Sequence, residues 1–456
     1  MTAINPSIFR AYDIRGRYPD ELNEEAAYSI GLAYGTLLKN AKKVAVSHDG
    51  RKGSLAIKGK LIEGLIGTGK NVVDIGLAPT PVLYFTICHI KLDGGISITG
   101  SHNPPEYTGL KLQKRNAGPI TGEGGIYEMR DMIVEERLTE AKNKGRITER
   151  TIAENYIDYI ASKTKLKKRL KIIIDSGNGS ATDIPRRIFE KSGCEVISPF
   201  ENLDTSYPNH MPDPHDYKNM KYLQQTVLKE RADMGFAFDG DADRVGMVDN
   251  KGRIVDADRL LIMLARHALS KRKGDVVVEV RTSSTVINDI KKHGGSPVMT
   301  RSGHSYLLEE IMRRKAVFGG EVTGHMYFPE EYYPYDDGIF IATVLARIAS
   351  SVPDFSEYVD SLPEAFASPE IEIPCADNEK FHKIESLIKI LRKEGYDFLG
   401  IDGARISFEK GWCLIRASNT TPSIKCRAEG DSEKALREIL SKLNELLGRI
   451  GLKAHL

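Results

Sequence analysis

Apolar and polar positions along the chain follow one pattern three times. A short apolar strand leads through a polar or glycine-bearing turn into a helix, and a second strand follows. The first strands of the three stretches span residues 44–46, 171–174 and 276–280. Short apolar strands that alternate with helices are typical of parallel α/β units. The pattern therefore predicts three related α/β units.

Each unit then has one further strand that ends in a polar, glycine-bearing loop. These loops are residues 99–104, 239–244 and 319–325. Ligands bind at the carboxyl ends of strands in open α/β sheets, so three such loops predict one shared cleft. The alternative is that each loop is an ordinary surface turn.

The last part of the chain breaks this pattern. From Ile406 onwards, apolar residues alternate over short gaps as in antiparallel strands, and residues 432–447 are predicted to form an amphipathic helix. We expect an α/β protein in which three topologically related domains with mixed sheets precede a smaller C-terminal α+β domain. That last domain would pack helices on an antiparallel sheet. The predicted domains are residues 1–148, 149–250, 251–366 and 367–456.

Composition excludes several classes of protein. The 456 residues are 41% hydrophobic and 28% charged, which is ordinary for a soluble enzyme, and no apolar run reaches the ~20 residues of a membrane span. The net charge of +2 creates no field that would favour nucleic acid or an anionic membrane as a partner. Five scattered cysteines without a CxxC pair, and a charged first segment, predict a cytoplasmic protein.

The second loop carries three aspartates, Asp239, Asp241 and Asp243. Carboxylates this close repel one another unless a cation lies among them, and hard oxygen ligands select Mg²⁺ or Ca²⁺. An EF-hand would need glycine and glutamate at the positions that Arg244 and Asn250 occupy, so that site is excluded. The incomplete ligand shell favours Mg²⁺ that also binds a phosphate oxygen, and a solvated acidic turn is the alternative.

The first loop presents a serine hydroxyl, Ser101, ahead of two prolines. Neighbouring side chains on an extended segment point apart, so the adjacency of Ser101 and His102 does not indicate a catalytic triad. The hydroxyl could instead carry a phosphoryl group, which would supply the missing anionic ligand of the metal. Lys111 and Arg15 are candidates to balance its charge or to move protons.

Two further loops suit ligand recognition. Glu321 and His325 offer a carboxylate and an imidazole without a nucleophile, which suits sugar hydroxyls. The loop at residues 416–422 offers the guanidinium of Arg416 and several short donors, which suit a phosphate. An ordinary structural role is the alternative for each of these two motifs taken alone.

Taken together, these motifs resemble those of the α-D-phosphohexomutase family, in its phosphomannomutase/phosphoglucomutase branch. Residues 9–16 resemble the opening segment of that branch, residues 99–104 its phosphoserine loop and residues 239–244 its magnesium loop. Residues 320–325 resemble its sugar-recognition loop, and residues 416–422 its phosphate-binding loop. The resemblance covers the whole chain in the right order.

The resemblance implies a heart-shaped, four-domain, Mg²⁺-dependent isomerase of carbohydrate metabolism. It would act on phosphosugars, interconverting mannose or glucose 1-phosphate and 6-phosphate through phosphoserine at Ser101 and a hexose 1,6-bisphosphate that is also its activator. The implied catalytic residues are Ser101, His102, Lys111, Arg15 and Arg244. The implied metal ligands are Ser101, Asp239, Asp241 and Asp243. The implied substrate-binding residues are Tyr12, His304, Glu321, Thr323, His325, Arg416, Ser418, Asn419 and Thr420.

Other functions stay open at this stage. The opening segment favours the mannose/glucose branch, yet Val322 stands where the branches carry glutamate, methionine or glutamine, so phosphoglucosamine mutase is an alternative. A phosphatase with an aspartate nucleophile in the Asp239–Asp241 motif is an alternative from another class, although Ala242 and Asp243 do not fit its pattern. A non-catalytic sugar-phosphate sensor is a third, against which the presence of every reactive loop argues. The sequence leaves open whether the protein is a monomer or a homo-oligomer.

Overall fold

The computed structural model describes residues 4–418 and 421–454. The first segment forms β1 (Ile14–Arg17), α1 (Glu24–Leu37), β2 (Lys43–His48), α2 (Ser54–Gly67), β3 (Asn71–Leu77), α3 (Thr80–His89), β4 (Gly94–Ile98), β5 (Tyr107–Lys114), β6 (Gly118–Pro119), α4 (Tyr127–Val134) and β7 (Ile147–Glu149). The sheet order is β1-β5-β4-β2-β3-β7, with β6 beside β5. Strand β2 is parallel to β3 and β4, whereas β5 is antiparallel to β4 and β1. The sheet is therefore mixed.

The second segment repeats this plan on a smaller scale. Its elements are α5 (Ala153–Lys163), β8 (Lys171–Asp175), α6 (Ile184–Lys191), β9 (Glu195–Ile197), α7 (Lys221–Glu230), β10 (Met234–Phe238), β11 (Val245–Asp249) and β12 (Ile254–Val255). The sheet order is β12-β11-β10-β8-β9, in which β8 is parallel to β9 and β10. Strand β11 turns back antiparallel to β10, so the acidic loop is the tight connection between these two strands.

The third segment forms α8 (Ala257–Lys271), β13 (Asp275–Glu279), α9 (Ser284–Lys292), β14 (Ser296–Thr300), α10 (His304–Arg314), β15 (Phe318–Gly320), β16 (Met326–Tyr327), α11 (Gly338–Ser350) and α12 (Phe355–Asp360). Strand β13 lies between β14 and β15 and is parallel to both. Its residues Val276, Val277 and Val278 are fully buried, as expected for a strand that is covered on both faces.

The last segment is antiparallel. It contains β17 (Phe366–Ala367), β18 (Ile371–Pro374), α13 (Asp377–Lys393), β19 (Phe398–Leu399), β20 (Ala404–Phe408), β21 (Gly411–Ala417), β22 (Ser423–Gly430) and α14 (Glu433–Arg449). Helix α14 begins where the Ser432 side chain accepts a hydrogen bond from the Ala435 amide, which is a standard N-cap. Leu387, Leu443 and Leu447 from the two helices join the apolar residues of the sheet in one core.

By their contacts, the described residues fall into two compact units. The first unit takes in the chain up to Ala257 together with Thr323–Ser361. The second unit takes in Asp258–Val322 and the chain from Leu362 onwards. Within the described residues, no helix combines the length and the apolar character that crossing a membrane requires.

The fold class predicted from the sequence is confirmed. The three predicted first strands are β2, β8 and β13, and the predicted C-terminal helix is α14. The first two sheets are mixed because β5 and β11 each form a hairpin with the strand before them and run antiparallel to it. As a result, the first two polar loops are the turns that connect β4 to β5 and β10 to β11, at the carboxyl ends of β4 and β10.

Candidate active site

Ser101 stands in the loop after β4 and is 3% exposed. Its backbone has a φ of +49°, in the left-handed region that residues other than glycine rarely adopt. The Ser101 amide donates to Thr99 Oγ1 at 2.9 Å, and its hydroxyl donates to Asp239 Oδ2 at 2.8 Å. The serine hydroxyl is therefore held against the acidic loop of the second segment.

The three aspartates of that loop form a buried cluster. Asp239, Asp241 and Asp243 each offer a carboxylate oxygen, and these oxygens lie within 4.8 Å of one another. Among the described residues, Oδ1 of Asp241 and Oδ1 of Asp243 are buried without a hydrogen-bond partner. Buried oxygens in this state are costly, and a hard cation would satisfy them. The donor set therefore fits Mg²⁺.

Charge crowding perturbs these carboxyl groups. Burial, together with the charges of Asp243 and Asp241, raises the pKa of Asp239 well above its usual value. Burial and Asp241 raise the pKa of Asp243 to about 6. Burial opposes ionisation of Asp241 as well, but Lys111 outweighs it and holds the pKa of Asp241 below its usual range. Ionisation of all three carboxyls at once is thus unfavourable unless a further positive charge is present.

Two cationic side chains face the cluster. Lys111 lies opposite Ser97 in the β4–β5 pairing, and its Nζ donates to Asp241 Oδ2 at 2.6 Å and also contacts Asp243. Burial alone would lower the pKa of Lys111, but the two aspartates raise it well above its usual value. Arg244 donates through Nε to Asp239 at 3.2 Å and through Nη2 to the Ser101 hydroxyl at 3.2 Å. A guanidinium is thus fixed next to the position that a phosphoryl group on Ser101 would occupy.

The expectation that Ser101 and His102 point apart is wrong. His102 Nδ1 lies 3.4 Å from the Ser101 hydroxyl oxygen and contacts Arg244 Nη2. The reason is the left-handed backbone of Ser101, because the argument from side-chain alternation holds only for an extended segment. Arg15 reaches the same loop and donates through Nη1 to Gly100 O at 3.0 Å and to the Asn103 side chain at 2.7 Å.

His325 also lies in the first unit, beside the acidic cluster. Its Nδ1 is 2.6 Å from Asp336 Oδ2 and 3.8 Å from Asp243 Oδ1. Burial lowers the pKa of His325 to about 3, and although the charge of Asp243 opposes this shift, that of Arg244 adds to it. The ring is therefore neutral at physiological pH and is oriented by a carboxylate.

The second unit gathers another set of the predicted residues. Glu321 Oε1 accepts from the Gly303 amide at 2.6 Å, next to His304, the first residue of α10. Asp402 Oδ2 accepts from the Ser302 amide at 3.1 Å and from Arg416 Nε at 2.9 Å. The loop before α10, Glu321 and Arg416 thus belong to one polar network.

The remaining predicted residues are placed as follows. Ser418 Oγ accepts from the Thr421 amide at 3.1 Å in the turn between β21 and β22. Tyr12 and Thr323 are partly buried residues of the first unit. Asn419 and Thr420 lie outside the described residues.

Sequence reasoning missed several polar residues that organise these loops. Asp336 orients His325, Asp402 holds Arg416, and Glu279 accepts from the Ser302 hydroxyl at 2.5 Å. A signal was present in the repeat, because β8 and β13 both end in an acidic residue and Asp49 directly follows β2. Aligning the three strand ends would have identified Asp49 and Glu279 as equivalent positions.

Comparison with known proteins identifies the family. Four consecutive segments, residues 6–135, 154–252, 256–366 and 370–446, match in order the alpha/beta/alpha domains I, II and III and the C-terminal domain of phosphoglucomutase/phosphomannomutase. The chain belongs to the phosphoglucomutase/phosphomannomutase family. The four family domains account for the three-fold repeat and for the antiparallel last segment.

Individual members of the phosphoglucomutase/phosphomannomutase family match nearly the whole chain. A phosphomannomutase/phosphoglucomutase of Pseudomonas syringae pv. tomato is 40% identical over 437 residues, which are 95% of this chain and 93% of that protein. One from Pseudomonas aeruginosa is 39% identical and covers 95% of this chain and 94% of its own length. The crystal structure of a family protein from Burkholderia thailandensis superposes with a TM-score of 0.93 at 33% identity and covers all of both chains.

Proposed function

We propose that the protein is a Mg²⁺-dependent phosphohexomutase that interconverts the 1-phosphate and 6-phosphate of mannose and glucose. The observation that carries this proposal is the Ser101 hydroxyl, which donates to Asp239 in the three-carboxylate cluster and accepts from Arg244. A serine placed between a cation site and a guanidinium is suited to hold a phosphoryl group. The family membership supports the same activity.

The proposed reaction consists of two phosphoryl transfers, each of a different phosphoryl group. A hydroxyl of the hexose phosphate attacks the phosphorus on Ser101 and gives up its proton, while the bond from phosphorus to the serine oxygen breaks. The serine oxygen takes up a proton, and a hexose 1,6-bisphosphate forms. The bisphosphate then returns its other phosphoryl group to Ser101 and leaves the isomeric monophosphate. Mg²⁺ held by Asp239, Asp241 and Asp243 would neutralise charge on the phosphoryl oxygens.

The four residues around the serine divide the remaining work. Lys111 and Arg15 both have raised pKa values, so they keep their protons and act in charge balance with Arg244. An imidazole exchanges a proton readily near neutral pH. We therefore assign to His102 proton transfer at the serine oxygen, which lies 3.4 Å from its Nδ1 and must gain a proton when its bond to phosphorus breaks.

Substrate recognition is proposed at the remaining predicted positions. Glu321, His304, Thr323, His325 and Tyr12 would bind sugar hydroxyls. The phosphate that does not react would be bound by Arg416, Ser418, Asn419 and Thr420. The hydrogen bond from Arg416 Nε to Asp402 supports this role, because it orients the fork of the guanidinium.

Several finer points belong to the same proposal. Hexose 1,6-bisphosphate would serve as activator by restoring phosphoserine, and the domain limits would lie near residues 148, 250 and 366. The scattered cysteine thiols support a cytoplasmic location.

The test is a coupled assay on mannose, glucose and glucosamine 1-phosphates with Mg²⁺ and a trace of hexose 1,6-bisphosphate. We expect Ser101→Ala to abolish turnover, while Ser192→Ala at the end of α6, whose hydroxyl bonds Ile188 O, keeps the wild-type rate. Near-normal turnover by Ser101→Ala would contradict the proposal. A preference for glucosamine phosphate above about tenfold would assign the protein to phosphoglucosamine mutases instead. Steady release of phosphate without isomerised product would indicate a phosphatase.

A further inference from the structure

The turn after β2 places a buried guanidinium against the backbone of the serine loop. Arg51 is 3% exposed, and its two terminal nitrogens donate to four backbone carbonyls. Nη2 donates to Ser101 O at 2.6 Å and to Asn103 O at 2.8 Å. Nη1 donates to Pro104 O at 2.6 Å and to Tyr107 O at 3.0 Å. One side chain therefore holds the whole loop between β4 and β5.

Asp49 completes the arrangement from the other side. Its Oδ2 accepts from the Gly100 amide at 2.8 Å and lies 3.2 Å from Arg51 Nε. Its Oδ1 accepts from the Arg51 amide at 3.0 Å and from the Ser54 hydroxyl at 2.9 Å. The pair thus binds the N–H before the reactive serine and the C=O of that serine.

The contacts of Arg51 and Asp49 hold a backbone segment of unfavourable conformation at Ser101. Ser101 has a left-handed φ of +49°, which the surrounding structure must enforce on a residue with a Cβ atom. The fit is tight, because a Cβ atom on Gly100 would lie 2.4 Å from Arg51 Nη1. Glycine at this position lets the guanidinium reach the carbonyl of the next residue.

We infer that Arg51, paired with Asp49, is a positioning residue that fixes the Ser101 backbone for phosphoryl transfer. The inference rests on the proposed function of Ser101. The described contacts of the Arg51 guanidinium are with backbone carbonyls, Asp49 and the Tyr207 ring, so it acts through the serine loop and not on the reacting atoms. Phosphoryl transfer depends on alignment of the attacking and leaving oxygens, so a small shift of the serine lowers the rate of the chemical step.

The first experiment replaces Arg51 by lysine, which keeps the charge but not the planar fork that spans four carbonyls. We expect kcat to fall about a hundredfold. KM for the hexose phosphate should stay within about threefold, because no group that binds the sugar changes. The matched control is Arg253→Lys, which removes another guanidinium of the first unit that pairs with a buried aspartate, Asp249, and should keep wild-type kinetics.

A second variant disturbs the contact between Arg51 and the serine loop without replacing the arginine. Gly100→Ala places a methyl group where Arg51 now lies and should give the same fall in kcat with KM unchanged. Both variants should accelerate amide hydrogen exchange in residues 99–107 and leave the other segments of the sheet at wild-type rates. In Arg51→Ala, added guanidinium at a concentration far below the denaturing range should restore part of kcat.

The outcomes separate this inference from the proposed function. If the wild type turns over phosphosugars and Arg51→Lys keeps its kcat, the inference is wrong. A loss of kcat that is accompanied by faster exchange throughout the first unit would also overturn it, since that pattern reflects general destabilisation. If the wild type has no mutase activity, the proposed function fails, and unchanged exchange in residues 99–107 of Arg51→Lys would still refute the grip on the loop.

Discussion

The pKa values of Asp239 and Asp243 in the first unit and those of Glu279 and Glu370 in the second unit are shifted in opposite directions. In the first unit, burial and neighbouring aspartates raise the pKa of Asp239 well above its usual value and that of Asp243 to about 6. In the second unit, burial opposes ionisation of Glu279, but the charge of Arg281 outweighs it and lowers the pKa of Glu279. The pKa of Glu370 is likewise lowered, to about 2, by Arg281 and Lys425 against the effect of burial. Three carboxylates lie close together in the first unit, where only Asp241 has a lowered pKa, through Lys111, whereas in the second unit Glu279 and Glu370 are each paired with cations.

The difference indicates two tasks. A crowded set of carboxylates is unfavourable by itself and becomes favourable when a cation and a charged substrate group arrive, which suits a reaction centre. A paired set has its charges balanced and holds its side chains in fixed directions, which suits recognition. The comparison therefore supports the proposal that phosphoryl transfer takes place at the acidic loop of the first unit and that the paired residues of the second unit take part in recognition.

Removing the cation should have the largest effect. Excess chelator, or Asp241→Asn, is expected to lower kcat by about a thousandfold or more, because the charge on the phosphoryl group is then not neutralised. Added Mg²⁺ should restore the chelated wild type but not the variant, as measured in the coupled assay. Asp183→Asn before α6 removes a partly exposed carboxylate that pairs with Arg186, outside the acidic cluster, and serves as control. Full activity in excess chelator would remove the basis for the comparison.

Disturbing the paired set should have a smaller and different effect. Arg416→Lys keeps a positive charge but loses the fork that Asp402 orients, so KM for hexose phosphate should rise about ten- to a hundredfold, with kcat changed much less. Steady-state kinetics with both isomers measures this split. Arg449→Lys, at an exposed pair with Glu394, is the control. If Arg416→Lys instead lowered kcat alone, recognition could not be assigned to this region.

The sequence allowed the local parts of this picture to be predicted, but not the parts that depend on distant contacts. Asp239, Asp241 and Asp243 are adjacent along the chain, so their repulsion could be inferred from spacing alone. Arg51 and Asp336 bind groups on other loops, and nothing at their own positions indicates the partner. The contact between Ser101 and His102 depends on the positive φ of Ser101. A serine in the sequence does not indicate a positive φ, as a glycine can. The repeat carried the strongest long-range information, because it aligned three strand ends.

Asp337 extends the comparison to stability within the first unit. It caps α11 and accepts from the Tyr156 hydroxyl at 2.9 Å, and burial raises its pKa to about 7. The folded protein therefore binds a proton that the unfolded chain has released, so the free energy of unfolding should fall as pH rises from about 4 to about 7. Between pH 6 and 8, the titration of Asp337 should lower the free energy of unfolding by about 1 kcal/mol.

Urea denaturation of the wild type and Asp337→Asn across this range isolates the contribution. The variant should lose less stability than the wild type as pH rises, because asparagine does not titrate. Asp158→Asn, an exposed position on α5, should follow the wild-type curve. A parallel pair of curves for wild type and Asp337→Asn would show that burial does not raise the pKa of this carboxyl in the folded state.

Glu370 should give the opposite sign and the smallest effect. Its pKa is lowered to about 2, so its pairing with Arg281 and Lys425 stabilises the fold above about pH 4.5 and is lost as pH falls towards 2. Because the side chain is partly exposed, solvent screening limits the effect at neutral pH to less than about 1 kcal/mol. Glu370→Gln should therefore be slightly less stable than the wild type at pH 7 and approach it as pH falls from 5 to 3, as measured by urea denaturation.

Glu438→Gln, exposed on α14, is the control and should show no such convergence with the wild type. A gap between Glu370→Gln and the wild type that widens with acid would contradict the assignment of paired charges to the second unit.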